Sequence, residues 1–197
     1  KLEDIKTIGV VGAGTMGQGI AQICAQAGYK TILFDINSQV LQKAEATTVK
    51  NLDKGIERGK LTEQEKQTTL ENLTFTSDTL HLICDVIIEA IVEKLEVKQS
   101  VFRELADINT PDTILASNTS SIPITQIAAA IPNPERVVGM HFFNPAHIMK
   151  LVEVISGAAT APEIAETIKQ LAEKLGKVAV MAKDSPGFIV NRVARHF

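Results

Sequence analysis

Strand and helix signals alternate along this chain from its first residues, and this alternation limits its fold more than any other feature. Apolar or β-branched runs predict strands at residues 7–12, 30–35, 73–76, 85–90, 113–117, 137–143, 151–155 and 177–182. Amphipathic patterns predict helices at residues 15–27, 38–58, 94–106, 124–130 and 162–175, with a further helix after Thr62. This order is typical of an α/β protein with a mostly parallel sheet and helices on both faces.

Local signals mark the ends of several helices. Ser38 is predicted to cap the long second helix. The apolar side of that helix comprises Leu41, Ala44, Val49, Leu52 and Ile56. Thr62 and Glu65 have the spacing of a capping box, in which each side chain bonds the backbone N–H of the other residue. Gly28 and Gly176 follow the last periodic residues of their helices, where glycine commonly ends a helix.

A glycine-rich turn joins the first predicted strand to the first helix. It matches the pattern G-x-G-x-x-G and comprises Gly12, Ala13, Gly14, Thr15, Met16 and Gly17. The first glycine permits a tight turn, the second lets a pyrophosphate approach the backbone, and the third allows close helix–strand packing. The helix N-terminus adds N–H groups and a positive dipole end for phosphate. The turn predicts a dinucleotide site in a Rossmann-like, doubly wound fold.

A carboxylate ends the second predicted strand, where a dinucleotide site requires one. Asp35 lies 18 residues after Gly17. A carboxylate there accepts hydrogen bonds from ribose hydroxyls and repels a 2′-phosphate, which favours NAD over NADP. FAD contains the same pyrophosphate and stays an alternative on the fingerprint alone. The plainer alternative is a glycine turn and a helix-capping Asp in a sheet that binds nothing.

A histidine and a glutamate lie on two successive predicted strands. His141 stands where strand 137–143 opens into a loop, and Glu153 lies in the middle of strand 151–155. If the strands are neighbours, the carboxylate fixes the imidazole tautomer and leaves the other ring nitrogen as a base. We interpret the pair as a general base with its orienting partner. A core histidine with an edge-strand glutamate is the alternative.

Composition argues against several classes of partner. The net charge of −3 does not provide the excess of Lys and Arg that a nucleic-acid surface requires. No apolar run in the sequence reaches the length of a membrane span, so no membrane partner is expected. Cys24 and Cys84 lie within apolar runs and are expected to be free buried thiols of a reducing, cytoplasmic location.

The last residues predict the start of a second domain. A turn at residues 184–187 leads into FIVNRVARHF, a helical pattern with an apolar start and no terminal glycine. We expect a dinucleotide-binding domain over residues 1–184. Residues 185–197 are expected to be the linker and the first helix of a C-terminal helical domain that is otherwise absent.

Five segments together resemble one known family. They read GAGTMGQGIAQ, EAIVEKLEVK, ASNTSS, HFFNPAHIMKLVEVI and DSPGFIVNR, and in this order they extend over essentially the whole chain. They are similar to the N-terminal NAD-binding domain of the L-3-hydroxyacyl-CoA dehydrogenases. The resemblance implies reversible oxidation of the 3-hydroxyl of an acyl-CoA to a ketone, with hydride transfer to NAD. It also implies a helical second domain and a homodimer for the full-length family.

The resemblance implies roles for individual residues. His141 is the expected catalytic base and Glu153 its orienting partner, while Ser120 and Asn191 are expected to contact the substrate as further members of the catalytic set. The expected cofactor-binding residues are Gly12, Gly14, Thr15, Met16, Gly17, Asp35, Glu93, Lys98, Asn118 and Asn144. The alternatives are a helix-capping role for Ser120, a solvent-facing helix position for Asn191 and a first-turn acid for Glu93.

A basic cluster at the end of the long second helix is the expected contact for the CoA nucleotide. It comprises Lys50, Lys54, Arg58 and Lys60, of which Arg58 is the expected substrate-binding residue. A solvated basic helix face is the alternative.

Three other functions stay open at this point. The chain could belong to a related dehydrogenase that acts on a non-CoA hydroxy acid. It could also be an NAD-binding module that is inactive without a further domain, since function requires the assembled site. A third alternative is one domain of a larger multifunctional β-oxidation protein.

Overall fold

An eight-stranded sheet forms the framework of the protein. The structure, a computed structural model, describes residues 1–185. Residues 186–197 lie outside the described part, and with them Asn191 and the predicted start of a helical domain. The domain boundary at residue 184 stays a prediction.

The eight predicted strands are present, and no strand end differs from its predicted position by more than one residue. They are β1 (Thr7–Val11), β2 (Lys30–Phe34), β3 (Leu73–Thr76), β4 (Val86–Glu89), β5 (Ile114–Ser117), β6 (Val137–Phe142), β7 (Leu151–Ser156) and β8 (Val178–Lys183). Their order across the sheet is β3-β2-β1-β4-β5-β6-β7-β8. Neighbouring strands are parallel except for β6 and β7, which are antiparallel. The mostly parallel, Rossmann-like sheet is confirmed.

Six α-helices connect or flank the strands within the described residues. They are α1 (Thr15–Gln26), α2 (Ser38–Glu57), α3 (Glu63–Asn72), α4 (Leu95–Ile108), α5 (Ile124–Ala128) and α6 (Pro162–Lys174). Three short 3-10 helices, Leu2–Asp4, Thr79–His81 and Pro134–Arg136, complete the regular structure.

Helices cover both faces of the sheet because successive strand residues point in opposite directions. One buried cluster joins Ile8 and Val10 of β1 to α1 and α6, where Ile20 and Leu171 are fully buried. A second cluster, on the other face, joins Val11 to α4 and α5. The two clusters confirm the predicted doubly wound arrangement.

The capping box and the two helix-ending glycines are confirmed. Thr62 Oγ1 accepts from Glu65 N at 3.1 Å, and Glu65 Oε2 accepts from Thr62 N at 2.8 Å. Gly28 and Gly176 have φ values of 97° and 83°, a region that favours glycine.

Two details of the second helix were predicted wrongly. Its N-cap is Asn37, whose side chain accepts from the N–H groups of Gln39 and Val40, and Ser38 is the first helical residue. An Asx residue before the helix competes well for this position, since Asn and Ser are nearly equal as caps. The buried residues of the helix also include Thr48, which accepts a hydrogen bond from Gln18 of α1, whereas Val49 and Ile56 are only half-buried.

No helix in residues 1–185 combines the length and the hydropathy needed to cross a membrane. Both cysteines are buried and free, as expected. Burial raises the pKa of the Cys24 thiol to about 12, and the pKa of Cys84 is also raised to about 12 by burial. Neither thiol is therefore ionised near neutral pH.

The glycine-rich turn yields a stability prediction. A Cβ on Gly17 would overlap the carbonyl oxygen of Gly12, whereas a Cβ on Gly14 would meet no atom within 4 Å. Gly17→Ala is expected to lower the free energy of unfolding by at least about 2 kcal/mol, because rigid backbone cannot relieve the overlap by rotation. Chemical denaturation measures this free energy of unfolding. Gly14→Ala is the matched control, with an expected loss within about 1 kcal/mol; equal losses in both variants would contradict the packing argument.

Candidate active site

The carboxyl ends of the parallel strands bring polar side chains together at one edge of the sheet. Glu89 at the end of β4 pairs in register with Ser117 at the end of β5, and Ser117 pairs with Gly139 of β6. A cavity of about 390 Å³ opens at this edge. It is lined by Met16, Asn118, Ser120, His141, Phe142, Phe143 and Asn144. Five of these seven residues were predicted from the sequence as site residues.

His141 and Glu153 face each other across the antiparallel pair of β6 and β7. His141 Nδ1 lies 3.6 Å from Glu153 Oε1, and Glu153 is fully buried. Burial lowers the pKa of His141 below its ordinary 6.5, while the charge of Glu153 and a hydrogen bond with it oppose this shift. The imidazole is therefore neutral near pH 7, with Nδ1 turned to the carboxylate, an arrangement that suits a general base.

Two neighbours hold the histidine in place. The Phe143 ring lies 4.5 Å from the His141 ring, centroid to centroid, at an angle of 53°. Asn118 Oδ1 accepts from the N–H of Phe142 at 2.8 Å, which ties the end of β5 to the end of β6. Phe143 is a site residue that sequence reasoning missed, because the contact depends on how the strand ends fold back.

The glycine turn is arranged to receive an anion. Gly14 is the N-cap of α1 and no side chain caps this helix end, so its first N–H groups are available to a ligand. The space beside Gly14 is open, and Gly12 has a φ of 101° with the Ala90 carbonyl close behind it. A pyrophosphate fits against backbone here because no side chain occupies the space.

Asp35 fixes the turn as well as bearing the predicted carboxylate. Its Oδ2 accepts from Ala13 N at 2.9 Å, and its Oδ1 accepts from Asn37 N at 2.9 Å. Each oxygen keeps a further lone pair that can accept from a ribose hydroxyl.

Glu93 and Ser120 are joined by hydrogen bonds, and their expected roles toward cofactor and substrate stay predictions. Glu93 Oε2 accepts from the backbone N–H and from the hydroxyl of Ser120, each at 2.8 Å. Although burial opposes it, these bonds, a bond from Thr119 and the charge of Lys98 lower the pKa of Glu93, so its carboxylate is ionised. Ser120 does not cap α5, since Asp184 instead accepts from the N–H groups at the start of that helix.

Lys98 is buried beside Glu93, and its expected role in binding the cofactor stays a prediction. Its side chain is 2% exposed and its ammonium lies 2.6 Å from Glu89 and 3.4 Å from Glu93. A third acceptor, the Ile91 carbonyl, lies 3.4 Å away. The three N–H groups therefore all have protein acceptors. Glu89 was missed as a site residue; the signal was a carboxylate ending an apolar strand.

A second cavity, of about 480 Å³, adjoins the loop after β6. Arg58 lines it together with Lys54, Lys60, His147 and Lys150. The pKa of His147 is lowered by burial and then by the charges of Lys177 and Lys54. The cavity lining is therefore basic, and the loop from Asn144 to Lys150 contributes residues to both cavities.

Comparisons with known proteins decide the family. Residues 7–185 match the family model of the 3-hydroxyacyl-CoA dehydrogenase NAD-binding domain. The chain belongs to this family. Its dinucleotide is accordingly NAD, which decides between NAD and FAD, and the open space at Gly14 with the uncapped start of α1 fits that cofactor.

The similarity to individual relatives is extensive along this chain but partial along theirs. A 3-hydroxyadipyl-CoA dehydrogenase of Escherichia coli K12 is 47% identical over 196 residues, which are 98% of this chain and 41% of the relative. A probable 3-hydroxybutyryl-CoA dehydrogenase of Bacillus subtilis is 47% identical over 192 residues, which are 96% of this chain and 67% of that protein. The chain thus spans about two fifths to two thirds of these relatives.

Solved structures agree with the fold. A crystal structure of 3-hydroxybutyryl-CoA dehydrogenase from Escherichia coli K12 superposes with a TM-score of 0.95 at 48% identity. The superposition covers 97% of this chain and 41% of that chain. The described domain is therefore similar to the NAD-binding part of a longer dehydrogenase.

The site predicts a change in dinucleotide preference at Asp35. Asp35→Asn is expected to raise the affinity for NADPH relative to NADH by about tenfold, because the neutral amide no longer repels a 2′-phosphate. Fluorescence titration with each nucleotide measures the two dissociation constants. Asp107→Asn, an exposed site on α4, is the charge-matched control. An unchanged ratio in Asp35→Asn would contradict the assignment.

Proposed function

We propose that the protein oxidises an L-3-hydroxyacyl-CoA to the 3-ketoacyl-CoA with NAD, reversibly, with His141 as the general base. The observation that carries the proposal is the His141–Glu153 pair, since it presents a neutral imidazole to a cavity beside the dinucleotide turn. The compound classes in the printed names of the relatives, 3-hydroxyadipyl-CoA and 3-hydroxybutyryl-CoA, agree with it.

The chemistry follows from the arrangement of the side chains. Bound NAD supplies the acceptor for the hydride that leaves C3. His141 Nε2 takes the hydroxyl proton, and Glu153 stabilises the resulting imidazolium through Nδ1. Ser120 and Asn118 line the same cavity and support a role in holding the reacting oxygen and the cofactor. Asn191 is proposed as a further substrate contact on the strength of the resemblance alone, because it lies outside the described residues.

The two cavities suggest how an acyl-CoA is bound. The thioester end belongs in the cavity at His141, and the negatively charged nucleotide end in the basic cavity at Arg58. The loop between residues 144 and 150 forms the wall along which the pantetheine arm would run. Arg58 is exposed at the end of α2 and is proposed to bind a CoA phosphate.

The compartment, the pathway and the oligomeric state are proposed from the two cysteines and from the resemblance. Two free buried thiols suit a reducing, cytoplasmic compartment. Fatty-acid β-oxidation is a pathway that uses this reaction. A homodimer in the full-length protein is proposed by resemblance.

Substitution of the proposed base tests the function. In the full-length protein, His141→Ala is expected to lower kcat for acetoacetyl-CoA reduction by NADH at least about 100-fold, since general acid–base catalysis contributes that much. The affinity for NADH should be retained. The matched control is His81→Ala, because His81 is exposed and bonds only Thr76 among the described side chains. Near-normal turnover of His141→Ala, or no turnover by the wild type, would refute the proposal.

The pH profile tests the coupling of the pair. Glu153 raises the pKa of His141, so Glu153→Gln should lower that pKa further. Oxidation needs the unprotonated base and is lost as the pH falls through its pKa; the acid limb of kcat/KM for L-3-hydroxybutyryl-CoA should therefore move to lower pH, below a reduced plateau. Glu166→Gln, at an exposed position of α6, is the control. An acid limb at the wild-type position would show that Glu153 does not act on the imidazole.

Charge reversal tests the CoA site. Arg58→Glu is expected to raise KM for acetoacetyl-CoA about tenfold, the loss of about 1.4 kcal/mol of binding, with kcat retained at saturation. Free CoA should compete with the substrate in the wild type and more weakly in the variant. Arg103→Glu, an exposed site on α4, is the control. Equal KM values, with no competition by CoA, would favour a non-CoA hydroxy acid instead.

A further inference from the structure

The loop at residues 117–121 carries Asn118 and Ser120, and it rests on a buried ion pair that the proposed mechanism does not use. Glu89, at the end of β4, is fully buried. Its carboxylate accepts from Lys98 Nζ at 2.6 Å, from Ile91 N at 2.7 Å and from Ser117 Oγ at 2.6 Å. A buried carboxylate is tolerated only when it is paired and bonded in this way.

Two routes lead from this pair to the loop. On one side, Glu89 fixes the Ser117 hydroxyl, which in turn accepts from Thr119 N at 3.3 Å. On the other side, Lys98 holds Glu93 at 3.4 Å, and Glu93 accepts from the hydroxyl of Thr119 and from both N–H and hydroxyl of Ser120. The backbone of Asn118 is also tied down, since its N–H donates to the Glu89 carbonyl at 2.8 Å.

The contacts from Lys98 through Glu93 to Ser120 depend on the positive charge of Lys98. An ionised carboxylate accepts at both oxygens, and Glu93 uses both, Oε1 for the hydroxyl of Thr119 and Oε2 for the two donors of Ser120. Glu89 and Glu93 both lie within 3.4 Å of the Lys98 ammonium. Without that cation, two carboxylates near one another would favour protonation of one of them, and a protonated Glu93 would lose part of its hold on Ser120.

We propose that the buried Glu89–Lys98 pair is a positioning device that holds Glu93 and the loop at residues 117–121, and thereby Ser120, in the geometry needed for turnover. This inference rests on the proposed function and extends it. Lys98 acts on Ser120 through Glu93, so its loss is expected to lower kcat.

Three variants of the full-length protein separate positioning from stability. Lys98→Met and Glu89→Gln each leave a buried partner uncompensated and are expected to destabilise the fold. The double variant Glu89→Gln/Lys98→Met removes both charges and is expected to recover stability. Its kcat for acetoacetyl-CoA reduction should nevertheless stay at least about tenfold below wild type, because misplaced groups cost rate without unfolding. Glu104→Gln and Lys43→Met are exposed, matched controls.

A double-mutant cycle locates the effect at Ser120. Lys98→Met should cost much less in a Ser120→Ala background than in the wild type, because the two changes remove one interaction. Recovery of kcat together with stability in the double variant, or a full additional loss in the Ser120→Ala background, would each overturn the inference.

Failure of the proposed function would be distinct, since it would appear as absent turnover in the wild type. Crystal structures of the wild type and the double variant then decide the inference without turnover. A lost contact between Ser120 and Glu93 is expected in the double variant, and an unchanged contact would overturn the proposal.

Discussion

The parallel register of β1, β4, β5 and β6 is the constraint on which the rest of the site depends. Because these strands run the same way, the glycine turn, Glu89, Asn118 and His141 all emerge near one edge of the sheet. Ligands of doubly wound sheets bind at this edge, where the strand order reverses. The backbone there is buried and closely packed: a Cβ on Gly17 would overlap the Gly12 carbonyl oxygen. The sheet therefore positions Glu89 and His141 directly, while Asn118 and Ser120 lie on the loop that follows β5.

The antiparallel pairing of β6 and β7 brings the proposed base and its partner together. β7 runs antiparallel to β6, and this brings Glu153 opposite His141 in register. The two charged networks at the edge then have separate tasks. Glu153 faces the imidazole and favours its protonated form, whereas burial favours the neutral form. The Glu89–Lys98 pair is linked to the neighbouring loop through Ser117 and Glu93; in our proposals, Glu153 serves proton transfer and Glu89 serves geometry.

The sheet, its helices and much of the site could be predicted because their signals are local or combine only neighbouring strands. Asp35 and Gly17 follow from a fixed spacing, and the His141–Glu153 pair follows from two adjacent strands. Features that depend on contacts between residues far apart in the sequence were not predicted. The burial of Lys98 depends on Glu89, on another element, and Asp184 caps α5 from about 60 residues away. Asn37 was overlooked because the adjacent Ser38 caps helices about equally well.

We propose that substrate and NAD meet in the cavity at His141. A crystal structure of the full-length protein with NAD⁺ and acetoacetyl-CoA tests this proposal, since both ligands are oxidised and cannot react. We expect the 3-keto oxygen within hydrogen-bond distance of His141 Nε2, with the pyrophosphate at Gly14 and the CoA nucleotide at Arg58. A thioester bound away from His141, or an imidazole turned from Glu153 in the complex, would contradict it.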